Sequence, residues 1–582
     1  MIFFRRLTLT FTLIITLFIT ACNPALLESK ATQIPQIVQA ILSDPKTFNA
    51  VLSQESPNIF GLTYEGLITE NPITGKQEPA LAKCWEISED KLEIIFTLKE
   101  GLKWSDGYPL TADDVVFSYN QLYLNEAIPT GARDVLRIGQ SGGLPTVTKI
   151  DDLRVKFTIP EPFAPFLGTT GLSILPAHIL RPAVETKGTD GNLIFLTTWG
   201  VDTPPEEIIV NGPYKLENYQ TSQRIIFTRN PYYWKKDDQG NQLPYLEKVI
   251  WEIVESTDTS LLQFRSGSLD SIGVSPDYFS LLKREEKRGN FTIYNGGPAY
   301  GITFMAFNLN KGKRNGVSLV DPIKSKWFNN VNFRRAIAYG IDRERMINNI
   351  YRGLGAPQNS PISVQSPFYY SEVKSYDYNP ELAKDLLLKE GFKYNEEGSL
   401  LDAAGNKVRF NLITNAGNKI REALGTQIKQ DLSKIGIQVD FTPIAFNVLV
   451  DKLDNSLDWD SHILGFTGGN EPHGAVNLWF PDGNSHLFNQ KPQTGRDSIE
   501  GREVAEWEQK IADLYIKASR ELDEAKRKEI YAETQQLAQE YLPLIYLVNP
   551  LSLTAVRDRF DGIEYSALGG AFWNIDELRL KN

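Results

Sequence analysis

The stretch EPALAKCWEISEDKLEIIFTLKEGLKWSDGYPLTADDVVFSY, residues 78–119, decides the fold class because it predicts a strand, a turn and a helix in succession. Segment 91–98 is rich in β-branched and aromatic residues, which favour strands. Asp106 and Gly107 follow as turn formers. Thr111 stands at the N-cap position of the next helix, and the aspartates after it suit the positive end of the helix dipole. This order is typical of a mixed α/β protein.

Strand-like and helix-like segments alternate through the rest of the chain. The further predicted strands are 153–159, 224–230, 248–254 and 301–310. The predicted helices are 111–123, 331–351, 380–391, 421–436 and a pair within 502–541. Gly391 and Gly436 stand where helix C-terminal glycines are expected. Because the two patterns are interleaved throughout, the sequence predicts an α/β fold class.

The composition indicates a folded, acidic protein. Of the 582 residues, 41% are hydrophobic, and 72 acidic residues outweigh 61 basic ones to give a net charge of −11. No lysine- or arginine-rich tract stands out, so we expect no nucleic-acid partner. The chain is too long for a single hydrophobic core, which predicts two or three domains.

The N-terminus has the layout of an export signal that ends at a cysteine. Arg5 and Arg6 precede the uncharged segment 7–21, and Cys22 follows a small residue. Segment 7–21 is shorter than the roughly 20 residues needed to cross a bilayer as a helix. A signal peptide over 1–21 is therefore favoured over a permanent transmembrane anchor.

Residues 19–22 (ITAC) resemble a bacterial lipobox. The resemblance implies cleavage before Cys22, acylation of Cys22, and a lipid-anchored tether over 22–30; acyl chains would hold the protein on a bacterial membrane. An ordinary secreted protein with a free cysteine is the alternative. Cys84 then has no disulfide partner, and its place beside Trp85 predicts a small buried apolar residue.

Motifs along the whole mature chain resemble one known family. Within the opening stretch the matching positions are Pro79, Leu81, Ala82, Trp85, 104–107, Thr111, Ala112, Asp114 and Val115. Further matches follow in the same order at 44–49, 63–68, 211–234, 333–346, 353–362 and 542–547. This pattern resembles the family 5 extracellular solute-binding proteins, the peptide- and nickel-binding receptors of ABC importers.

The resemblance implies a type II periplasmic binding protein, with two lobes hinged by crossover strands around a ligand cleft. One lobe would combine 31–61, 203–290 and 542–582, with an extra subdomain from 62–202, and the other lobe would be 291–541. The implied ligand is an oligopeptide-like or other small solute, and the implied partner is an ABC transporter permease. We expect a monomer without a cofactor, in the periplasm or at the cell surface.

The expected ligand site departs from the family pattern. In peptide-binding relatives, a segment after a strand of the second lobe carries an aspartate that pairs with the α-amino group of the peptide. The corresponding stretch here is 462–480, where Gly468 or Gly469 takes the place of the aspartate and Asn470 and Glu471 follow. A peptide would lose its main charged anchor unless Glu471 replaced it. The alternative is a glycine-rich loop without a binding role.

Aromatic residues leave an oligosaccharide open as the ligand. Phe466, His473 and Trp479 offer flat faces and a polar edge that suit sugar rings, and some members of the family bind oligosaccharides. The other candidate lining residues are Tyr64, Phe304, Phe307 and Trp573. Alternating aromatics on a strand, such as Phe304 and Phe307, are more often core residues.

Two further readings have weaker sequence support. His473 and His486 could bind nickel or heme, but they lack metal-ligand spacing, so we expect no metal. The sequence has no nucleophile elbow, phosphate-binding loop, dinucleotide fingerprint or zinc-protease motif, so we expect no enzyme. An exported glycosidase with a pair of catalytic carboxylates is the alternative from another functional class.

Overall fold

The computed structural model describes residues 34–53, 58–139, 142–493 and 495–581. The predicted signal peptide, the lipidation site Cys22 and the tether 22–30 lie outside these ranges. Within them, no helix combines the length and the hydropathy needed to cross a membrane.

The strands of the described residues are numbered in chain order. They are β1 Gln36–Ile41, β2 Ile68–Glu70, β3 Gln77–Pro79, β4 Ala82–Ile87, β5 Glu93–Leu98, β6 Thr146–Lys149, β7 Arg154–Thr158, β8 Tyr214–Gln220, β9 Arg224–Arg229, β10 Lys248–Ile253, β11 Ser271–Gly273, β12 Phe291–Pro298, β13 Ile302–Phe307, β14 Lys313–Arg314, β15 Val317–Ser318, β16 Gly355–Pro357, β17 Lys393–Tyr394, β18 Leu400–Leu401, β19 Arg409–Asn415, β20 Gln438–Ile444, β21 Ser461–Phe466, β22 Leu544–Tyr546, β23 Val548–Arg557, β24 Phe560–Asp561 and β25 Arg579–Leu580.

The α-helices are numbered in the same way. They are α1 Phe60–Thr63, α2 Ala112–Phe117, α3 Ala132–Val135, α4 Phe166–Thr169, α5 Ala177–Glu185, α6 Thr257–Ser266, α7 Pro276–Glu285, α8 Pro322–Asn329, α9 Val331–Gly340, α10 Arg343–Arg345, α11 Pro380–Lys389, α12 Lys419–Ser433, α13 Phe446–Asp451, α14 Val476–Trp479, α15 Glu506–Arg520 and α16 Glu524–Tyr541. Single π-helical turns extend α2, α10 and α13, and a 3₁₀ turn, Pro472–Ala475, precedes α14.

The predicted strands and helices are confirmed as elements, and the capping argument at Thr111 holds. The Thr111 side chain accepts a hydrogen bond from the backbone N–H of Asp113 at 3.3 Å. In return the Thr111 backbone N–H donates to Asp114 Oδ2 at 2.9 Å, which completes a capping box at the start of α2.

The prediction that Cys84 is buried is wrong, because Cys84 is exposed. Strand β4 has a register shift between Ala82 and Cys84, so Cys84 pairs with Thr97 on the outer face of the sheet. Trp85 pairs with Phe96 on the inner face instead. A bulge of this kind moves a side chain to the opposite face, and an amino-acid pattern does not reveal it.

The sheets form two large hydrophobic cores. The first core includes the sheet β1-β10-β9-β8 and the sheet β4-β5-β7-β6. The second core surrounds the five-stranded sheet β20-β19-β21-β13-β22, in which β19 runs parallel to β20 and β21. We call the regions built on these cores the first and second lobes, and the part of the first lobe around β4-β5-β7-β6 the subdomain.

Strand β23 connects the two lobes. It pairs with β11 and β12 next to a third, smaller core, and its first residues pair with β16 from the second lobe. The chain passes between the lobes where β12 leads to β13 and where β22 leads to β23. Strand β22 lies in the second-lobe sheet, so the return to the first lobe begins after Tyr546 rather than at residue 542, the position expected from the sequence.

Candidate functional site

A cavity of about 1060 Å³ lies between the two lobes. The first lobe lines it mainly with the β2–β3 hairpin and its approach, helix α4, and the segments 233–235 and 569–576. The second lobe contributes the loop 469–474, which follows β21. Because walls from both lobes meet at this cavity, a change in the angle between the lobes would open or close it.

Aromatic side chains form much of the first-lobe wall, and their polar tips are already bonded to the protein. Tyr64 donates its hydroxyl to the Ile209 carbonyl at 3.0 Å. The indole N–H of Trp573 donates to the Glu564 carbonyl at 2.9 Å. With their polar tips held by the protein, both aromatics bring chiefly apolar ring surface to the cavity wall.

A carboxylate network fixes one end of the cavity. Glu65 accepts hydrogen bonds of 2.6 Å from the Tyr233 hydroxyl and of 2.6 Å from the Trp234 indole N–H. Burial raises the pKa of Glu65. Beside it, the Lys235 ammonium lies 2.9 Å from an Asp576 carboxylate oxygen. These hydrogen bonds hold the two aromatic rings in place, so this end of the cavity is preformed.

Asn470 connects the two lobes at the edge of the cavity. Its side-chain amide donates to Glu70 Oε1, on strand β2, at 2.6 Å. Its backbone carbonyl accepts a hydrogen bond from the Ser366 hydroxyl at 2.7 Å, which holds the loop against the second lobe. The lobes are therefore in direct contact here, through a residue of the loop 469–474.

Further contacts close the same side of the cleft. Arg137 of the subdomain forms a bidentate pair with Asp482 of the second lobe, with both N–O distances 2.7 Å. The backbone N–H of Asn484 donates to Asp134 Oδ2 at 2.9 Å. These bonds, like that of Asn470, require the two lobes to be close together.

Glu471 is held by one cation, one hydroxyl and one backbone N–H of its own lobe. Its Oε1 lies 2.7 Å from Arg527 Nη2, and it also accepts from the Tyr531 hydroxyl at 3.3 Å and the His473 backbone N–H at 3.2 Å. Within the described ranges, Oε2 accepts no hydrogen bond. Glu471 thus lines the cavity with one oxygen committed to the protein and one available.

His473 is fully buried in the cavity wall. Its Nε2 lies 3.2 Å from the Val135 carbonyl, and its ring meets Phe163 edge-on with centroids 4.9 Å apart. Burial lowers the pKa of His473 to about 3, so the imidazole is neutral at physiological pH. Because a carbonyl only accepts, Nε2 carries the proton and Nδ1 is an acceptor.

Comparison with known proteins identifies the family. The model of the bacterial extracellular solute-binding proteins, family 5 Middle, matches residues 76–486. The chain belongs to this family. It is 32% identical over 555 residues to a probable ABC transporter-binding protein of Deinococcus radiodurans, covering 90% of this chain and 88% of the relative. It is 24% identical to the oligopeptide-binding protein AppA of Bacillus subtilis, covering 95% and 94% of the two chains.

Solved structures share the two-lobed fold of this solute-binding protein. AppA of Bacillus subtilis, in complex with a nonapeptide, aligns with a TM-score of 0.77 at 23% identity over 94% of this chain and 99% of the other. The periplasmic binding protein MelB of Agrobacterium fabrum, in complex with stachyose, aligns with a TM-score of 0.80 at 23% identity, covering 94% and 85%. At 23% sequence identity, the similarity to these two structures establishes the fold but not the ligand.

The candidate residues of this solute-binding protein fall into two groups. Those that line the cavity are Tyr64, Gly469, Asn470, Glu471, His473 and Trp573. Phe304, Phe307 and Trp479 are 0%, 1% and 2% exposed and belong to the second-lobe core. Strand β13, which carries the two phenylalanines, is paired on both sides within its sheet, and its side chains are covered on both faces.

Phe466 and Gly468 lie beside the cavity loop rather than in the wall. Phe466 packs against Phe304 with ring centroids 5.4 Å apart. A Cβ on Gly468 would lie 1.9 Å from the Tyr300 carbonyl oxygen, so only glycine fits this close approach. Gly468 is therefore required by the close approach of the backbone at this position.

His486 is a structural residue of the second lobe. Its Nδ1 lies 2.7 Å from the Leu478 carbonyl and its Nε2 lies 2.9 Å from Glu508 Oε2, and the ring is fully buried. Both ring nitrogens therefore have protein partners. Among the described residues no cluster of histidine, cysteine and carboxylate side chains could hold a metal ion.

Sequence reasoning missed several residues of the cavity wall. Glu65 and Trp234 both lie within motifs of the family, where they read as fold determinants. Glu70 and Glu78 carry no motif, and only the pairing of β2 with β3 brings them to the cavity. Their carboxylates could have been singled out only with knowledge of which hairpin faces the second lobe.

Proposed function

We propose that this protein captures an oligopeptide-like solute between its lobes and delivers it to the permease of an ABC importer. The cavity of about 1060 Å³ between the lobes carries this proposal. Its volume lies just above the roughly 300–1,000 Å³ typical of small-molecule pockets, which gives room for a short peptide. The Bacillus subtilis relative is an oligopeptide-binding protein, which supports the same class of ligand.

The proposed mechanism is binding followed by hinge closure, with no chemistry on the solute. The chain passes between the lobes at two places only within the described ranges, after Pro298 and after Tyr546, and few connections allow a hinge. The Asn470–Glu70 bond and the Arg137–Asp482 pair form when the cleft closes. Closure would then create the surface that the permease distinguishes from the open form.

We also propose that the protein is a monomeric lipoprotein. The ITAC sequence at 19–22 supports removal of residues 1–21 and acylation of Cys22, with 22–30 as the tether. The anchor would keep the protein in the periplasm or at the cell surface, close to its permease. The proposed lobes are 31–61 with 203–290 and the chain after Tyr546, the subdomain 62–202, and 291–546.

An oligosaccharide is the second candidate ligand. The aromatic wall formed by Tyr64, Trp234 and Trp573 supports it, since flat rings with bonded polar tips stack against sugars. The stachyose complex of MelB shows that a similar fold holds an oligosaccharide. Incubation of the purified protein with oligosaccharides should release no new reducing ends; their release would support the glycosidase alternative.

A thermal-shift screen tests the proposed function. The mature protein is freed of co-purified solute by unfolding and refolding, then heated with short peptides, with cello- and manno-oligosaccharides and stachyose, and with nickel. Binding to the native state raises the melting temperature, and a ligand at 100 times its Kd adds about 2.7 kcal/mol. We expect a shift with peptides. A shift with sugars and none with peptides would replace the peptide proposal by the oligosaccharide one.

A further inference from the structure

We propose that the solute is a positively charged oligopeptide, and that Glu70, Glu78 and Glu471 receive its cationic groups. This proposal rests on the proposed function of peptide capture and names the class of peptide.

The charges of the cavity wall are strongly unequal. Its ionisable acids are Glu65, Glu70, Glu78, Glu471 and Asp576, whereas Lys235 is its one basic side chain among the described residues. The Lys235 ammonium is already shared between Asp576, at 2.9 Å, and Glu577, at 2.6 Å. An anionic group of a ligand would therefore find no free cation in this wall, while a cationic group would find several carboxylates.

Three of these carboxylates each keep an oxygen free. Glu70 uses Oε1 for the Asn470 amide, and Glu78 uses Oε1 for the Asn71 amide at 3.0 Å. Glu471 directs Oε1 at Arg527. In the described part of the chain, the Oε2 atoms of all three accept no hydrogen bond. Glu70 and Glu78 have only neutral amide partners, so their negative charge is not compensated by the protein.

Two of the carboxylates, Glu70 and Glu471, come from opposite lobes at one edge of the cavity. Glu78 lies on β3 opposite Thr69, so its side chain is on the other face of the hairpin from Glu70. Glu471 follows Asn470, whose side chain is bonded to Glu70 across the cleft. A cation at this end would compensate charges from both lobes at once, which favours the closed arrangement.

Neutral and acidic solutes fit this wall less well. Sugar hydroxyls can donate hydrogen bonds, but they bring no charge to offset the negative charge of Glu70 and Glu78. An acidic peptide would add like charges to the same wall. Charge complementarity therefore favours a peptide that carries ammonium or guanidinium groups.

The test is a calorimetric titration of the solute-free mature protein with three matched pentapeptides. They have the form Ala-Ala-X-Ala-Ala, with X as lysine, glutamine or glutamate. We expect the lysine peptide to bind at least about tenfold more tightly than the glutamine peptide, and the glutamate peptide to bind most weakly. The lysine preference should fall as salt is raised, because part of the wall is open to solvent.

Single substitutions test which carboxylates cause the preference for the lysine peptide. Glu78→Gln should reduce the lysine-over-glutamine preference several-fold with little change for the glutamine peptide, whereas Glu70→Gln should also weaken binding of the glutamine peptide because it weakens the Asn470–Glu70 bond. Glu529→Gln, an exposed carboxylate on α16, is the matched control and should change nothing. Glu78→Gln leaves the Asn470–Glu70 bond intact, so it separates charge from lobe closure. The ligand-free melting temperature of each variant checks its folding.

The titration distinguishes failure of the charge inference from failure of peptide capture. Equal binding of the three peptides, or tightest binding of the glutamate peptide, would overturn the charge inference and leave peptide capture standing. Binding of stachyose with no binding of any pentapeptide would overturn peptide capture itself.

Discussion

The side-chain amide of Asn470 donates to Glu70 Oε1 at 2.6 Å and joins residues 400 positions apart on opposite lobes. Both residues line the cavity, so the bond that holds the lobes together also lies in the wall that contacts the solute. A hydrogen bond to a charged group contributes roughly 1.5–3 kcal/mol when solvent is excluded, and less in this partly exposed position. The bond therefore links solute capture to the closed form.

Replacement of Asn470 should weaken solute binding without unfolding the protein. We expect Asn470→Ala to raise the Kd for a bound peptide about tenfold, because the closed form loses about 1.4 kcal/mol, while the ligand-free melting temperature stays unchanged. Asn348→Ala, an exposed asparagine outside the cavity, is the control. Calorimetric titration measures both. An unchanged Kd would mean that this bond does not contribute to closure.

Loss of Arg527 should destabilise the second lobe. Arg527 is 7% exposed, lies 2.7 Å from Glu471 Oε1 and stacks over the Phe368 ring at 4.8 Å. Breaking a buried pair costs roughly 3–5 kcal/mol, and because the Glu471 side chain is 35% exposed we expect about 2 kcal/mol for Arg527→Leu. Urea unfolding measures this difference.

A conservative variant separates charge from packing at the same site. Arg527→Lys keeps the positive charge but not the planar stack, so its loss of stability should be smaller than that of Arg527→Leu. Equal stability of Arg527→Leu and the wild type would contradict a stabilising role for the pair.

His462 should make the protein sensitive to acid. Burial lowers its pKa to about 3, and neither ring nitrogen has a hydrogen-bond partner in the described ranges. Between about pH 6.5 and pH 3 the unfolded chain binds a proton that the folded chain does not, so stability falls as the pH falls, by up to about 1.4 kcal/mol per pH unit. His473, with the same lowered pKa, adds a similar loss.

Substitution of His462 by an apolar residue should remove its share of this loss. From pH 7.5 to pH 4.5, urea unfolding should show a loss of stability about 2.7 kcal/mol smaller for His462→Leu than for the wild type. At pH 7.5 the variant should be about as stable as the wild type, since an unpartnered polar ring is exchanged for an apolar side chain. Parallel acid losses for the two proteins would contradict the assignment.

Cys22 should determine where the protein is found. We expect wild-type protein to enter the detergent phase in a phase-partition experiment, and Cys22→Ser to remain in the aqueous phase, because the proposed acyl chains would hold the mature chain on a membrane. Mass spectrometry of the mature N-terminus measures the modification directly. An unmodified cysteine on wild-type protein would contradict lipidation.

The sequence predicts the fold of this protein more fully than its site, for a physical reason. Local periodicity indicates where strands such as β5 and helices such as α15 form. It does not show which strand lies centrally in a sheet, so Phe304 and Phe307 could be read as either wall or core. The bulge that turns Cys84 outward is equally invisible to a pattern.

The cavity wall depends on contacts between distant parts of the chain. The loop 469–474 could be found from its sequence because it follows a recognisable strand and departs from the family there. Its counterpart Glu70 could not, because only the packing of the lobes brings β2 against that loop. The sequence predicts half of the wall, and the structure adds the opposite half.

The most direct test is a crystal structure of the mature protein with the lysine-containing pentapeptide. We expect peptide density in the cavity between the lobes, with the lysine ammonium or the α-amino group within roughly 4 Å of Glu70, Glu78 or Glu471. An empty cavity with the peptide bound elsewhere, or an oligosaccharide from the solution in its place, would contradict the account.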